Sequence, residues 1–349
     1  MLSIAIVGAT GAVGRECLAL LDRGIVPVER VLPVGSPRSV GRDVGAEFGL
    51  DLPLDPLTTV EELAPDDLDV GLFCAGAEVS AREAERLTSA GVLVVDNSSA
   101  FRMRADVPLV VPQVNPHALA RRPSGGIVAN PNCSTIQLVR ALHPLHELAG
   151  LESVVVATYQ AASGGGLRGL AELAGDSAKL LSDPGTQSEP GGRFGQPLAF
   201  NLVPEVGLRD ETGLTHEERK LVREPRKILG LPDLRVSATA VRVPVFHCHS
   251  EAVHIRLREP VTGEAVEKAL ANACDLRVYG RSAGSPYPMP RFVFGEAEDR
   301  VKVHVGRIRV EPEDPRAVAV WIVADNLWVG AALNALQIVE LGVSYGWLG

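Results

Sequence analysis

At 349 residues the chain is longer than one ordinary hydrophobic core needs, so two domains of middling size are expected. Apolar residues make up 46% and charged residues 22%, which excludes a disordered chain. A formal net charge of -9 argues against nucleic acid or an anionic membrane as partner, because both need a basic surface, but it leaves room for a small anion held by a few local Arg and Lys residues.

The first seven residues, Met-Leu-Ser-Ile-Ala-Ile-Val, lack the basic start of a secretory signal, and no apolar run approaches the roughly 18 residues of a membrane helix. A cytoplasmic protein is the expectation. Five cysteines, Cys17, Cys74, Cys133, Cys248 and Cys274, are few, odd in number and not in CxxC spacing, which suits thiols in a reducing compartment better than a disulfide framework or a zinc ribbon.

Residues 4–7 form a short apolar strand that runs into Gly8-Ala9-Thr10-Gly11-Ala12-Val13-Gly14 and then into a helix carrying Val13, Cys17, Leu18 and Leu21. Glycines at 8, 11 and 14 let the backbone turn tightly and bring amides at a helix N-terminus up to a pyrophosphate. A tight turn without ligand is the alternative. In an NAD site an acidic residue is expected ~20 residues beyond the loop. Here the second strand, 31–34, ends in Gly35-Ser36-Pro37-Arg38-Ser39 with no carboxylate at its tip. Arg38 can pair with a 2′-phosphate, and Ser36 and Ser39 can donate to it, so NADP is expected rather than NAD. Taken alone, Arg38 is as well explained as an exposed loop cation. Strands at 69–76 and 91–96, with a helix near 78–90 between them, continue the alternation that predicts a parallel, doubly wound sheet. Cys74, at the end of one of these strands, is expected as a small core residue.

The segment Ala129-Asn130-Pro131-Asn132-Cys133-Ser134-Thr135 precedes a helical repeat of Ile136, Val139, Leu142 and Leu145. Cys133 is therefore expected at a helix N-terminus, where the dipole and the first amides stabilise a thiolate and can hold a developing oxyanion. An inert buried thiol would normally sit on an apolar helix face instead. A proton carrier is offered by the stretch 241–251. Read as one extended strand, it puts Arg242 and His249 on opposite faces unless the chain bends near Pro244. His247 and His249 would share a face, which admits a metal reading, but no third ligand is evident and no metal is assigned.

With these residues in hand, the chain resembles the aspartate-semialdehyde dehydrogenase family along nearly its whole length. The resemblance rests on GATGAVG at 8–14, SPRS at 36–39, DNSSAFRM at 96–103, NPNCST at 130–135, YQAASG at 159–164, EERK at 217–220, RVPV with its following HS, VGRIRV at 305–310, and DNL with GAALNA at 330–335. It implies an α/β Rossmann-type doubly wound parallel-sheet domain over 1–132, completed by a C-terminal helix at 326–349. It also implies an α+β catalytic and dimerisation domain over 133–325, like that of glyceraldehyde-3-phosphate dehydrogenase. The implied reaction is NADPH-dependent reduction of L-aspartyl 4-phosphate to L-aspartate 4-semialdehyde and phosphate, feeding lysine, methionine and threonine synthesis. By match to the motifs, Cys133 is the nucleophile, His249 the acid-base residue and Gln160 the residue that orients the acyl group. Arg242 would bind the substrate carboxylate, Glu217 its amino group, and Arg102 with Lys220 the phosphate. The NADP site would draw on Gly8, Thr10, Gly11, Ala12, Val13, Gly14, Ser36, Arg38, Ser39 and Asn326. A homodimer or a dimer of dimers is implied.

Four positions depart from the family pattern. Cys248 stands where a Gly or Ala is usual, suggesting an oxidisable second thiol beside the site. Trp328 and Val329 replace a basic pair, and Pro225 should kink the helix after Lys220 and weaken that residue's claim to the phosphate. Two further enzyme readings compete. N-acetyl-γ-glutamyl-phosphate reductase shares the chemistry, but Glu217 suits a free amino group. A short-chain reductase or epimerase would need a Tyr-x-x-x-Lys pair, which is missing. A non-catalytic paralog would be expected to lose Cys133, Gln160 and His249, and all three are present.

Overall fold

The structure, a computed structural model, describes residues 1–185, 189–282 and 284–348. It divides into two compact units, Met1–Asn132 with Ala331–Gly349, and Cys133–Gly330.

The first unit is built on β1 (Leu2–Val7), α1 (Ala12–Asp22), β2 (Val28–Gly35), α2 (Val44–Phe48), β3 (Thr58–Thr59), β4 (Val70–Phe73), α3 (Ala77–Ser89), β5 (Leu93–Asp96) and β6 (Ile127–Ala129). The strands form one sheet in the order β3-β2-β1-β4-β5-β6, every pair parallel. Sequential strands step outward from β1 in one direction and then, from β4 on, in the other. That reversal leaves a crevice beyond the carboxyl ends of β1 and β4, the usual ligand position in an open parallel sheet. Because β1, β4 and β5 are buried along their whole length, they read as unbroken apolar runs and not as alternating ones. α1 closes on the sheet through Cys17, Leu18, Leu20 and Leu21. Cys74 is half-buried just past β4, its Sγ 4.0 Å from that of Cys17.

The second unit continues with α4 (Cys133–Ala149), β7 (Leu151–Gln160), α5 (Gly166–Ser182), α6 (His216–Ile228), β8 (Arg235–Arg242), β9 (His249–Leu257), α7 (Gly263–Ala271), β10 (Leu276–Val278), α8 (Pro290–Gly295), α9 (Ala297–Arg300), β11 (Val303–Glu311) and β12 (Asp314–Ala324). Its sheet is mixed, in the order β10-β11-β12-β9-β7-β8. β8 runs parallel to β7 with Arg242 opposite Gln160, and β9 runs antiparallel on the other flank of β7 with Ser250 opposite Tyr159. The stretch expected as one strand is therefore two strands that sandwich a third. Between them residues 243–248 cross the end of β7, where the amides of Ala162 and Ser163 donate to the carbonyls of Val245 and Phe246 at 2.7 and 3.0 Å. α4 packs on one face of this sheet, over β7, β9 and β12.

The chain passes through a π-helical turn, Trp328–Ala332, and ends in α10 (Leu333–Ser344), which belongs with the first unit. Asn334 Nδ2 donates to the carbonyl of Val110 and to Asn130 Oδ1, and Gln113 donates to Gln337. The regular helix is shorter than the expected 326–349, and Gly349 lies outside the described residues. Among the described residues no helix is long and apolar enough to cross a membrane.

Gly14 is the tightest point of the glycine turn. A Cβ there would lie 2.2 Å from the Gly8 carbonyl oxygen, a backbone atom that has no room to yield. Gly14→Ala is expected to cost about 1–3 kcal/mol of stability by overpacking and to weaken dinucleotide binding. Denaturant unfolding and a fluorescence titration with the dinucleotide check both, and a wild-type result in each would refute the close-packing argument.

Candidate active site

The residues expected to hold the dinucleotide in the first unit lie at the β1 to α1 turn and at the tip of β2. Gly8 and Thr10 form the turn, and Gly11 is the N-cap of α1 without any side-chain cap, so Ala12, Val13 and Gly14 open a helix whose first amides suit an anion. β2 ends at Gly35, and Pro37–Ser39 make a short 3-10 turn beyond it. Ser36 Oγ and Ser39 Oγ are 3.5 Å apart. Arg38 is exposed, and among the described residues no carboxylate pairs with it. The turn that opens α1 suits the pyrophosphate of a dinucleotide.

In the second unit the register of β8, β7 and β9 places Arg242, Gln160 and His249 side by side at one end of the sheet. Neighbours in register share a face, and that face is the one covered by α4, as the 3.2 Å bond from Gln160 Nε2 to Ser134 Oγ confirms. Cys133, half-buried, is the first residue of α4 and so stands at the positive end of the helix dipole. A thiolate there would favour the charged Arg242 guanidinium, which donates to the Ala161 carbonyl at 2.7 Å and lies over the Phe194 ring. Burial pulls the Arg242 guanidinium down from its usual range, opposed by Glu217 and Cys133.

His249 is completely buried. Its Nδ1 accepts the Ala161 amide at 3.0 Å, which puts the proton of the neutral ring on Nε2. Nε2 has no hydrogen-bond partner among the described residues, so it remains available as a donor. Burial, reinforced by Arg242 and opposed by Glu217, pushes the imidazole down to about 3. Between these two side chains lies Gly164, where a Cβ would sit 2.7 Å from an Arg242 nitrogen and 3.4 Å from His249 Nε2.

Gln160 Nε2 also reaches Glu217 Oε1 at 3.1 Å, and Glu217 Oε2 accepts from Lys220 Nζ at 2.9 Å. Glu217, Lys220 and Arg242 line a cavity of about 690 Å³ together with Gly164, Arg193 and Phe194. Cys133, Gln160 and His249 are not on its lining. Sequence reasoning missed Arg193 and Phe194. They sit in a glycine-rich loop with no periodicity to mark them, and only the fold brings them beside Arg242.

Two family models match the chain. One, described as "Semialdehyde dehydrogenase, NAD binding domain", covers residues 3–122, and the other, "Semialdehyde dehydrogenase, dimerisation domain", covers residues 142–329. The chain is 40% identical to the aspartate-semialdehyde dehydrogenase of Aquifex aeolicus (98% of each chain) and 42% identical to that of Synechocystis (99% of this chain, 98% of the relative). A crystal structure of aspartate semialdehyde dehydrogenase II from Vibrio cholerae, complexed with ASA, superposes with a TM-score of 0.90 at 40% identity, over 99% of this chain and 98% of the other. The chain belongs to the aspartate-semialdehyde dehydrogenase family. It is thus an oxidoreductase with a nicotinamide-dinucleotide-binding domain and a dimerisation domain.

Against the pattern of the aspartate-semialdehyde dehydrogenase family, the structure corrects several expectations. Cys248 does not face the row of Arg242, Gln160 and His249. It is fully buried against Val293 and Val323, and burial pushes its thiol far above the ordinary range, so it is a core residue and not an oxidisable neighbour. Its φ of 68° explains why a small residue or glycine suits the position. His247 lies in the crossing segment and stacks on Phe294 at 3.9 Å between ring centroids, so it does not share a strand face with His249. Among the described residues no group of three His, Cys, Asp or Glu side chains could hold a metal ion. α6 runs unbroken through Pro225, which falls in its last turn and leaves Lys220 paired with Glu217. Trp328 and Val329 are buried, and Arg300 lies 3.9 Å over the Trp328 ring while its Nε meets Asp325 at 2.6 Å. Asn326 Oδ1 accepts from Ser163 Oγ and from the Cys248 amide, which leaves its amide nitrogen as the donor. Arg102, in the first unit, donates to the carbonyls of Asn130 and Asn97 at 2.9 and 2.8 Å.

An imidazole whose folded value lies below its unfolded one, about 6.5, stays neutral in the fold while the unfolded chain takes the proton. The stability that depends on neutral His249 is therefore fully present above about pH 6.5 and is lost as pH falls towards about 3. His249→Gln is expected to flatten that part of the stability-against-pH curve. Parallel curves for the two proteins between pH 4 and 7, measured by denaturant unfolding at roughly half-unit steps, would contradict the neutral assignment.

Proposed function

We propose that the chain catalyses NADPH-dependent reductive dephosphorylation of L-aspartyl 4-phosphate to L-aspartate 4-semialdehyde through a thioester on Cys133, in the route to lysine, methionine and threonine. The observation that carries this reading is the lateral row of Arg242, Gln160 and His249 beneath the helix that Cys133 opens.

In this reading the Cys133 thiolate, favoured by the α4 dipole, attacks the acyl carbon, the new carbon–sulfur bond forms, and the carbon–oxygen bond to phosphate breaks. Gln160, held by Ser134, Thr158 and Glu217, orients the acyl group. The Nε2 proton of His249 is offered to the carbonyl oxygen as negative charge builds on it, in a site too buried for water to compete. Arg242 takes the substrate carboxylate with its planar fork. Glu217 takes the amino group; an incoming ammonium competes with Lys220 for that carboxylate and frees the lysine for phosphate, alongside Arg102. The dinucleotide, when bound, supplies the hydride that turns the thioester into the aldehyde. Gly8, Thr10, Gly11, Ala12, Val13 and Gly14 would carry its pyrophosphate and Ser36, Arg38 and Ser39 the 2′-phosphate, with Asn326 also in the cofactor site. A cytoplasmic homodimer or dimer of dimers is the assembly this reading expects.

Run in reverse, the reaction is measurable with stable reagents. Purified protein given L-aspartate 4-semialdehyde, phosphate and NADP is expected to form NADPH only when phosphate is present, and Cys133→Ala to form none. Silence from folded, reduced wild-type protein would reject the assignment. Arg38→Ala should lower kcat/KM with NADP by roughly ten- to a hundredfold, the worth of a charge-assisted bond, and leave NAD little affected. Equal losses with both cofactors would remove Arg38 from the 2′-phosphate site.

A further inference from the structure

The reactive face of the second unit holds two polar side chains that the proposed chemistry does not use. Glu251 on β9 and Gln137 on α4 are both fully buried, and among the described residues neither oxygen of the carboxyl and neither polar atom of the carboxamide makes a well-formed hydrogen bond. Four orphaned polar atoms in a packed core lose their hydration with nothing to replace it. Their positions are informative. Gln137 lies four residues after Cys133, one turn further on the same side of α4, and Glu251 lies two residues after His249 on the same side of β9. Thr158 of β7 and Ile322 of β12 flank Glu251 in register, so its strand neighbours bring no charge to it. From α4, Gln137 is the polar side chain whose influence it feels, opposing a burial that drives the carboxyl well above its ordinary range.

We propose that Glu251 and Gln137 form a buried acid–amide pair that ties the helix carrying Cys133 to the strand carrying His249, making both of them positioning residues. A protonated carboxyl donates its O–H to the amide oxygen and accepts from the amide N–H₂ through its other oxygen. This closed pair satisfies all four groups at once. The ionised carboxylate would lack the donor for one of the two bonds. The pair bears on the distance between sulfur and imidazole, whereas the substrate carboxylate and ammonium are assigned to Arg242 on β8 and Glu217 on α6, so its loss should appear in kcat and not in KM.

The inference rests on the proposed reaction for its kinetic arm alone. Wild-type protein, Glu251→Gln and the double variant Q137L/E251L would be compared by steady-state kinetics, denaturant unfolding and infrared spectroscopy. The double variant replaces both partners with apolar groups of similar size and should stay folded with near wild-type stability. Its kcat is expected to fall by roughly ten- to a hundredfold, the effect of a displacement near 1 Å, with KM for the semialdehyde unchanged. Glu251→Gln, which keeps an amide–amide pair, should retain most of kcat. The infrared spectrum should show the carbonyl stretch of a protonated carboxylic acid in wild type at neutral pH and lose it in Glu251→Gln. A folded double variant with wild-type kcat, or a wild type without that band, would overturn the pair. Wild type without phosphate-dependent turnover would count against the proposed reaction and leave the infrared arm to decide.

Discussion

The register of three strands governs the second unit. Gln160 ends β7 with Arg242 opposite it on β8 and with His249 beside it on β9, so a guanidinium, a carboxamide and an imidazole stand in one row on one face. A slip of one residue in either pairing would turn one of these side chains to the other face of the sheet. The antiparallel pairing of β9 with both β7 and β12 holds that register along most of its length, far beyond the three residues that use it. What is strongly determined is thus the sheet, and the site inherits its geometry from it.

Burial then decides the chemistry available to the row. A neutral imidazole with its Nδ1 occupied by a backbone amide can offer only an Nε2 proton, so His249 is shaped as a donor in the resting protein. Removal from water also strengthens each remaining charge, which makes the pairing of Glu217 with Lys220 and the influence of Glu217 on Arg242 more consequential than surface contacts of the same length. The many exposed ion pairs, such as Arg104 with Asp106, contribute little by comparison.

Much of this was legible in the chain. The strand, glycine turn and helix at the N-terminus follow from backbone sterics over fourteen residues, and the placement of Cys133 at the start of α4 follows from the asparagine-rich segment and the apolar repeat after it. These are local features, and local features are written in local sequence. The segment around His249 was not legible. Its alternating residues look like one strand, but Arg242 and His249 end up on two strands because β7, some eighty residues earlier, lies between them. Cys248 was misread for the same reason: its neighbours Val293 and Val323 are distant in sequence, and nothing nearby shows that the thiol turns into the core.

The sequence alone determined the alternation of elements, the parallel sheet, the glycine turn, the helix-capped cysteine and, through its motifs, the family, since each depends on short-range sterics, periodicity or residue identity. Tertiary structure alone decided the strand order, the row of Arg242, Gln160 and His249, the depressed proton affinity of that imidazole, and the burial of Cys248, Glu251 and Trp328. These depend on which distant segments exclude water from a side chain and which backbone groups meet it, and both are set only when the sheet closes on α4.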